Sequence, residues 1–363
     1  MPRTQRNAEE ISKFIVENIE EHAADIGRLV ALRFRLSRQT AVAHLARLNK
    51  EGVIQTVGRT KGCRYSLKER EWLFKLAVSP ALEEDVVWRE NLLPELKDLP
   101  ENVLGICDYG LTEMLNNVVD HSDSATAIIA VTRNALRTRI RVIDAGVGIF
   151  NKIQTTLGLH DARHALLELA KGKLTTDQER HTGEGVFFAS RIFDEFRIMA
   201  GALFYQRIRQ EGDDWLIEAG DLPPMTGTTV DMQIRNDAKQ TLKEVFDEYA
   251  SEDNNFGFAR THVPIRLAMY EGEQMLSRSQ AKRILARVDR FREVILDFRG
   301  VTGIGQAFAD EVFRVFAHEH PEVHMVPLFT TPDIDKMIAR VRGGEIANEP
   351  RQLSLISLDA THE

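Results

Sequence analysis

The sequence predicts a multidomain α/β (α+β) protein in three parts, on three observations. At 363 residues the chain exceeds one ordinary hydrophobic core. Its charge is uneven: the net value is −8, yet between residues 26 and 67 nine Lys or Arg face a single acid, Glu51. Its apolar pattern also changes along the chain. Helical spacing with a hairpin covers residues 1–70, helices and strand-like runs cover 71–250, strands alternate with helices over 251–345, and 346–363 reads as a tail. A composition of 43% hydrophobic and 28% charged residues is that of a soluble globular protein. No run reaches the length needed to span a bilayer, and the start of the chain carries no apolar signal core. The two cysteines, Cys63 and Cys107, stand apart from any CxxC or His/Cys cluster, which excludes a zinc site and fits a reducing cytoplasm.

In the first part Ile11, Phe14, Ile15 and Ile19 recur at helical spacing. A second helix, Asp25 to Phe34, offers Leu29, Val30 and Leu32 for burial. Ser37 is a good N-cap for a third, Arg38 to Lys50, with Val42, Leu45 and Leu48 inward. Gly52 stops it, and Val53–Val57 and Cys63–Leu67 read as a hairpin. Three helices and a hairpin resemble a winged helix-turn-helix. The local charge of +8 is a footprint for phosphate contact, with Arg38, Gln39, Thr40 and His44 placed to meet base edges of double-stranded DNA and Arg47, Arg59 and Lys61 beside them. A protein-binding or structural role for such a headpiece is the alternative.

The second part is organised around Leu111–His121. As a helix it sets Glu113 and Asn117 four residues apart on one face and Leu111, Leu115 and Val118 on another. The pair suits a magnesium-nucleotide site, Asn supplying a hard oxygen and Glu orienting a nucleophile; polar pairs at this spacing also mark solvated faces. Trp72, Leu73, Leu76 and Val78 begin a connecting segment. Two strands, Ala125–Arg133 and Arg137–Ile143, follow the helix and end in Asp144-Ala145-Gly146-Val147-Gly148, where a carboxylate can accept from an exocyclic base amine and the glycines admit close backbone approach, or where a tight turn alone is made. Further on, Thr182-Gly183-Glu184-Gly185 opens an apolar helix whose N-terminus can take phosphate oxygens. Between them, residues 149–180 look like a lid in which Lys171 and Lys173 either meet phosphate or are solvated. Phe196–Arg207, Asp214–Glu218 and Val230–Ile234 read as strands, the last preceded by Gly227-Thr228-Thr229.

Glu113-x-x-x-Asn117, Asp144-x-Gly146-x-Gly148, Gly183-x-Gly185 and Gly227-Thr228-Thr229, separated by 27, 39 and 44 residues, resemble the ordered blocks of the GHKL ATPases, the family of gyrase, heat-shock chaperone, histidine kinases and MutL. The resemblance covers about half the chain. It implies a helix layer on a mixed, mainly antiparallel sheet. It further implies ATP and Mg2+ as cofactors, with Asn117 on the metal, Glu113 as the catalytic residue, Asp144 on the adenine amine, Gly146 and Gly148 beside the base, Gly183 and Gly185 around the phosphates, and Thr228 or Thr229 near the base. The wording Gly-Thr-Thr-Val and a helix ending in His121 are most similar to the anti-sigma-factor serine kinases. No phosphorylatable His followed by Pro precedes the helix, and the lid carries an extra helix-like piece, His160 to Lys171.

In the third part, Ser279 caps a helix from Gln280, Glu293–Phe298 is a buried strand, Gly300–Gly305 a turn, Gln306–His320 a helix, Val323–Phe329 a strand and Pro332–Val341 a last helix. This order resembles the STAS-like domains found behind GHKL domains. Antagonists of that kind carry a phosphoacceptor serine where this chain reads Ala307, so the module is expected to dock or dimerise. Together these readings lead to an expectation of a cytoplasmic, homodimeric, ATP-gated DNA-binding regulator. The alternatives are a serine/threonine kinase acting on a separate STAS or sigma-factor-pathway protein, and a non-catalytic hub with structural nucleotide.

Overall fold

The computed structural model describes residues 3–58, 63–174, 183–210, 213–218, 225–250, 258–269 and 274–343. The chain forms two compact units, Met1–Thr261 and His262–Glu363. Among the described residues no helix is long and apolar enough to cross a membrane.

The first unit opens with α1 (Arg3–Asn18), α2 (Ile26–Phe34) and α3 (Arg38–Lys50), then β1 (Ile54–Val57) and β2 (Arg64–Leu67), paired antiparallel from Ile54↔Leu67 to Val57↔Arg64. Ser37 caps α3, its hydroxyl accepting from the Thr40 N–H at 3.1 Å. Ile11, Ile15, Ile19, Ile26, Val30, Leu45, Leu48, Ile54 and Leu67 form one core. Two expected core positions lie outside it, Leu32 being 69% and Val42 45% exposed. The inner stripe of α3 runs through Ala41, Leu45 and Leu48, one residue earlier than Val42. On the facing helix Gly27 lets α2 come close: a Cβ added there would lie 3.3 Å from the Leu45 side chain.

Only Lys68 and Glu69 separate β2 from β3 (Arg70–Ala77), a strand where a connecting segment was expected. Trp72, Phe74 and Leu76 are half-buried in alternation, a signal diluted by the exposed Leu73. α4 (Glu84–Val87), a π turn (Trp88–Leu92) and α5 (Leu93–Leu96) lead to α6 (Glu101–His121). Next come β4 (Thr126–Arg133), β5 (Arg137–Asp144), α7 (Ile149–Leu157), α8 (Ala162–Lys171) and α9 (Gly185–Ile192), and then β6 (Glu195–Gly201), β7 (Leu203–Ile208), β8 (Asp213–Glu218), β9 (Met225–Arg235) and α10 (Leu242–Tyr249). The expected single strand Phe196–Arg207 is a hairpin, because Gly201 takes φ +59° and turns the chain back.

Seven described strands form one sheet in the order β3-β4-β5-β9-β6-β7-β8, and every described pairing in it is antiparallel, where a mixed, mainly antiparallel sheet was expected. α6 buries Val103, Ile106, Cys107, Leu111, Met114, Leu115 and Val118. Gly110 marks its closest approach to the sheet.

The second unit begins within β10 (Arg260–Pro264) and continues through a 3-10 turn (Ile265–Ala268), α11 (Arg278–Leu285), β11 (Glu293–Asp297), α12 (Gln306–Asp310), a π turn (Glu311–Phe316), α13 (Ala317–Glu319), β12 (His324–Leu328) and α14 (Pro332–Val341). The three-stranded sheet runs β10-β11-β12, with β11 and β12 parallel. α11 starts earlier than expected, because Ser277 rather than Ser279 makes the cap. Its hydroxyl accepts from the Gln280 N–H and Gln280 answers to the Ser277 N–H, a complete capping box. The expected tail lies outside the described residues.

A Cβ at residue 110 would fall 2.5 Å from the Phe193 ring and 3.1 Å from the Met232 sulfur. Gly110→Ala is therefore expected to cost about 1–3 kcal/mol of stability despite its better helix propensity, read as a lowered urea midpoint with unchanged slope.

Candidate functional site

α6 supplies the floor of the site. Its apolar side is buried, and Glu113 and Asn117, one turn apart and half-buried, stand on the flank of that side beside Met114 and Val118. Both line a cavity of about 320 Å3, within the range that holds a small organic ligand. The same cavity is lined by Asn116, His121, Ser122, Asp144, Lys152, Gly183, Glu184, Gly185 and Thr228, with Met114, Val142, Ile149, Ile153, Leu169, Leu174 and Val230 as its apolar wall.

The back of the cavity is built where β5 and β9 end side by side. Asp144 is 6% exposed; its Oδ1 accepts from the Gly146 N–H at 2.8 Å, and Thr228 donates to it from backbone and hydroxyl. The Thr228 hydroxyl oxygen in turn accepts from the Ile149 N–H at 3.0 Å, which fixes the start of α7. Burial raises the Asp144 carboxyl above its usual range and outweighs these three hydrogen bonds, which lower it. Of the Thr228/Thr229 alternatives, Thr228 lines the cavity, while Thr229 is buried in the ladder between Ile143 and Met199.

The glycines of the Asp144 loop answer to the backbone rather than to the cavity. A Cβ at Gly146 would stand 1.8 Å from the Ser122 carbonyl oxygen, and Gly148 takes φ +80° as it enters α7. Neither lines the cavity. Gly185 differs: a Cβ there would lie 1.9 Å from Glu113 Oε2, so the glycine opens the first turn of α9 to the Glu113 carboxylate. That turn carries N–H groups without intrahelical acceptors, favourable to negative charge. Glu113 and Glu184 both raise the Tyr109 phenol, as does its burial, the largest cause.

Two expected ligand residues are placed elsewhere. Lys171 is buried, its Nζ 2.7 Å from Glu168 Oε1, because the last turn of α8 packs inward and its carbonyl accepts from the Thr261 hydroxyl at 2.6 Å. Lys173 stands 5.5 Å over the Phe258 ring. Thr182 lies outside the described residues. The cation lining the cavity is Lys152, on α7 and 3.1 Å from Asp123. Ile149 and Ile153 bracket it at helical spacing, which would have marked its helix but not its direction.

These residues fit a magnesium nucleotide. Asn117 and Glu113 offer hard oxygens, too few to fill a six-coordinate shell, so the ion would be completed by phosphate oxygens and water. Asp144 is an enclosed acceptor of the kind an exocyclic amine requires. The ion, when bound, would neutralise phosphate charge; Glu113 is placed to orient or deprotonate a nucleophile above the α9 N-terminus.

On the headpiece, Arg38, Gln39, Thr40 and Arg47 are exposed. His44 is half-buried rather than exposed, because it falls between Ala41 and Leu48 on the flank of the inner stripe. Its pKa is depressed, by burial first and by Arg47 second. Arg47 reaches back to the Ser12 hydroxyl at 2.5 Å and to Glu51 at 3.5 Å. Arg59 and Lys61 lie outside the described residues.

The family described as a STAS-like domain of unknown function (DUF4325) matches residues 280–335. The match runs from α11 into α14. A search of curated proteins finds no match to the chain.

The raised Asp144 carboxyl makes a signed prediction. Because its folded pKa lies above the unfolded value of 3.8, folding favours the protonated form, and ionisation costs stability as pH rises from 3.8 through the folded pKa. The stability of the wild type relative to Asp144→Asn is expected to fall across that window and stay level above it. Urea titrations of both proteins between pH 3.5 and 8 measure the slope whatever constant offset the amide introduces.

Proposed function

We propose that this chain binds Mg-ATP in a GHKL-type site and uses it to gate DNA binding through a winged helix-turn-helix headpiece, as a cytoplasmic homodimer. One observation carries the reading. Glu113, Asn117, Asp144, Gly183, Gly185 and Thr228 come from four separated segments, and all six line the same cavity. Residues chosen by chance from four segments do not converge on one apolar-walled hollow.

Supporting it, the acceptor end of the cavity is enclosed and the α9 end carries helix N–H groups, an asymmetry that suits a molecule with an amine at one end and phosphates at the other. The exposed Arg38, Gln39 and Thr40 begin α3, as base-reading residues do in helix-turn-helix proteins. In this reading Glu113 is the residue on which any hydrolysis or transfer depends. Ala307 has no hydroxyl, which favours a second reading in one respect: if the γ-phosphoryl is transferred, the acceptor is a separate protein.

The test follows labelled ATP with magnesium on wild type, Asn117→Ala and Glu113→Ala, recording bound nucleotide, free phosphate and labelled protein together. Asn117→Ala is expected to lose about 10- to 100-fold in magnesium-dependent affinity. Glu113→Ala is expected to keep binding and to lose about 10²- to 10⁴-fold in turnover. DNA affinity, measured with and without Mg-ATP at fixed salt, is expected to differ in the wild type and to become indifferent to nucleotide in Asn117→Ala. Label on an added partner favours the kinase reading; regulation by a variant that binds but does not cleave favours the hub. No nucleotide binding by the wild type defeats the proposal.

A further inference from the structure

The turn between β4 and β5 reaches out of the sheet and into the headpiece. Leu136 packs against the headpiece core. Beside it, Arg137 Nη2 lies 2.5 Å from Glu20 Oε1, and across the ladder Arg235 Nη2 lies 4.0 Å from Glu17 Oε1. Arg137 and Arg235 are direct partners in the β5–β9 register.

This turn is held rigidly. Asn134, 7% exposed, accepts from the N–H groups of Leu136 and Arg137 at 2.9 and 3.0 Å, and its amide nitrogen donates to Glu69 at 3.4 Å. Asn236 donates to the Asn134 carbonyl and accepts from the Thr138 hydroxyl, each at 2.8 Å, while its N–H donates to the Leu136 carbonyl at 2.8 Å. The two strands that hold Leu136 against the headpiece core then run, paired residue for residue, from Arg137↔Arg235 to Ile143↔Thr229. One residue further, Asp144 and Thr228 meet in the cavity. The two-residue link between β2 and β3 keeps the headpiece at high effective concentration next to the turn, so a small contact suffices to hold it.

We infer that Asn134–Arg137 is a latch that makes the headpiece and the seven-stranded sheet one body, and that the β5–β9 ladder carries the state of the cavity to it. The second half rests on the nucleotide reading above; the first does not. The docked headpiece leaves Arg38, Gln39 and Thr40 exposed, so the latch sets the orientation of α3 instead of covering it. Glu17 at the end of α1 and Glu20 just beyond it meet the two sheet arginines; on α2 and α3, Arg28 pairs with Asp25 and Arg47 with Glu51, while Arg33, Arg38 and Lys50 are exposed to a polyanion.

The test uses the full chain. In wild type without nucleotide, 15N relaxation of headpiece and sheet amides is expected to give one rotational correlation time. In Leu136→Asp/Arg137→Glu the headpiece value is expected to fall by at least about 2-fold, as for a small body on a short tether. Sheet amide shifts outside the turn report that the variant remains folded. Arg137→Glu alone weakens the latch, and Glu20→Arg/Arg137→Glu restores it. Separate correlation times in the wild type, or a shared one in the doubly substituted latch, overturn the first half. DNA affinity with and without Mg-ATP then tests the second. A nucleotide effect in the wild type, about 5-fold or more for an ordinary coupling, is expected to shrink toward 1 in the latch variant, with nucleotide affinity unchanged. A full effect in the released variant overturns the coupling. If the wild type binds no nucleotide, the functional reading and the coupling fail together, while the relaxation result still decides the latch.

Discussion

The antiparallel pairing of β5 with β9 is the constraint on which the rest of the first unit depends. These strands are adjacent in the sheet but far apart in sequence, and between them the chain runs through α7, α8, α9 and the β6–β7–β8 meander. Their register decides which side chains coincide at each end. A slip of one residue would turn Asp144 and Arg137, which lie on opposite faces, each to the wrong one, because side chains alternate along a strand. The pairing is therefore pinned at both ends: by Asn236 and Thr138 at the outer turn, and by Thr228 on Asp144 at the cavity. Between them Ile140, Val142, Val230, Met232 and Ile234 are buried, so the polar ends are held by an apolar middle. Burying such side chains is worth about 1.5–3 kcal/mol each, well above any one of the end hydrogen bonds.

The same construction explains why glycines in this chain do different jobs. Gly146 and Gly227 are where backbones touch: a Cβ would meet the Ser122 oxygen in the first case and the Asp144 oxygen, at 2.1 Å, in the second. Gly183 takes φ +70° and packs on the Leu174 backbone, closing the gap between α8 and α9. Gly185 is set against a side chain of the cavity, the Glu113 carboxylate. A glycine-rich spacing reads the same in all these cases. What distinguishes them is the atom standing where the missing Cβ would be, which is a property of tertiary contact.

How much of this was legible in the sequence follows from that distinction. Local signals carried far: the cap at Ser37, the face shared by Glu113 and Asn117, the strand ending in Asp144 and the order of the four blocks are all consequences of spacing, and the cavity gathers them. Failures came where local pattern and tertiary placement part. Lys171 ends an amphipathic helix and reads as a solvated or ligand-binding cation, but a buried partner three residues away, Glu168, draws it inward. Lys152 sits in an undistinguished turn of α7 and becomes a cavity residue only because Thr228 fixes where α7 begins. β3 was missed because an edge strand half-covered by one helix layer needs only a weak alternation, and Leu73 on its open face breaks even that. Ser277 and Ser279 are equally good caps by residue type; the Gln280 amide, which must sit at the third helical position, selects the first.

Charge placement in the headpiece completes the physical picture. Its basic stretch and the carboxylates at and just beyond the end of its first helix are not a mixture averaged over one surface. Glu17 and Glu20 are turned toward Arg235 and Arg137, which leaves the arginines of α2 and α3 less neutralised than the composition of residues 1–70 implies. Exposed ion pairs such as these contribute about 0–1 kcal/mol apiece and weaken within a Debye length of about 8 Å at physiological salt, so they orient the headpiece more than they hold it. Holding falls to Leu136, whose burial does not depend on ionic strength. Added salt therefore weakens the Glu20–Arg137 and Glu17–Arg235 pairs, while the dock to the sheet, resting on one apolar side chain and a short link, loses little.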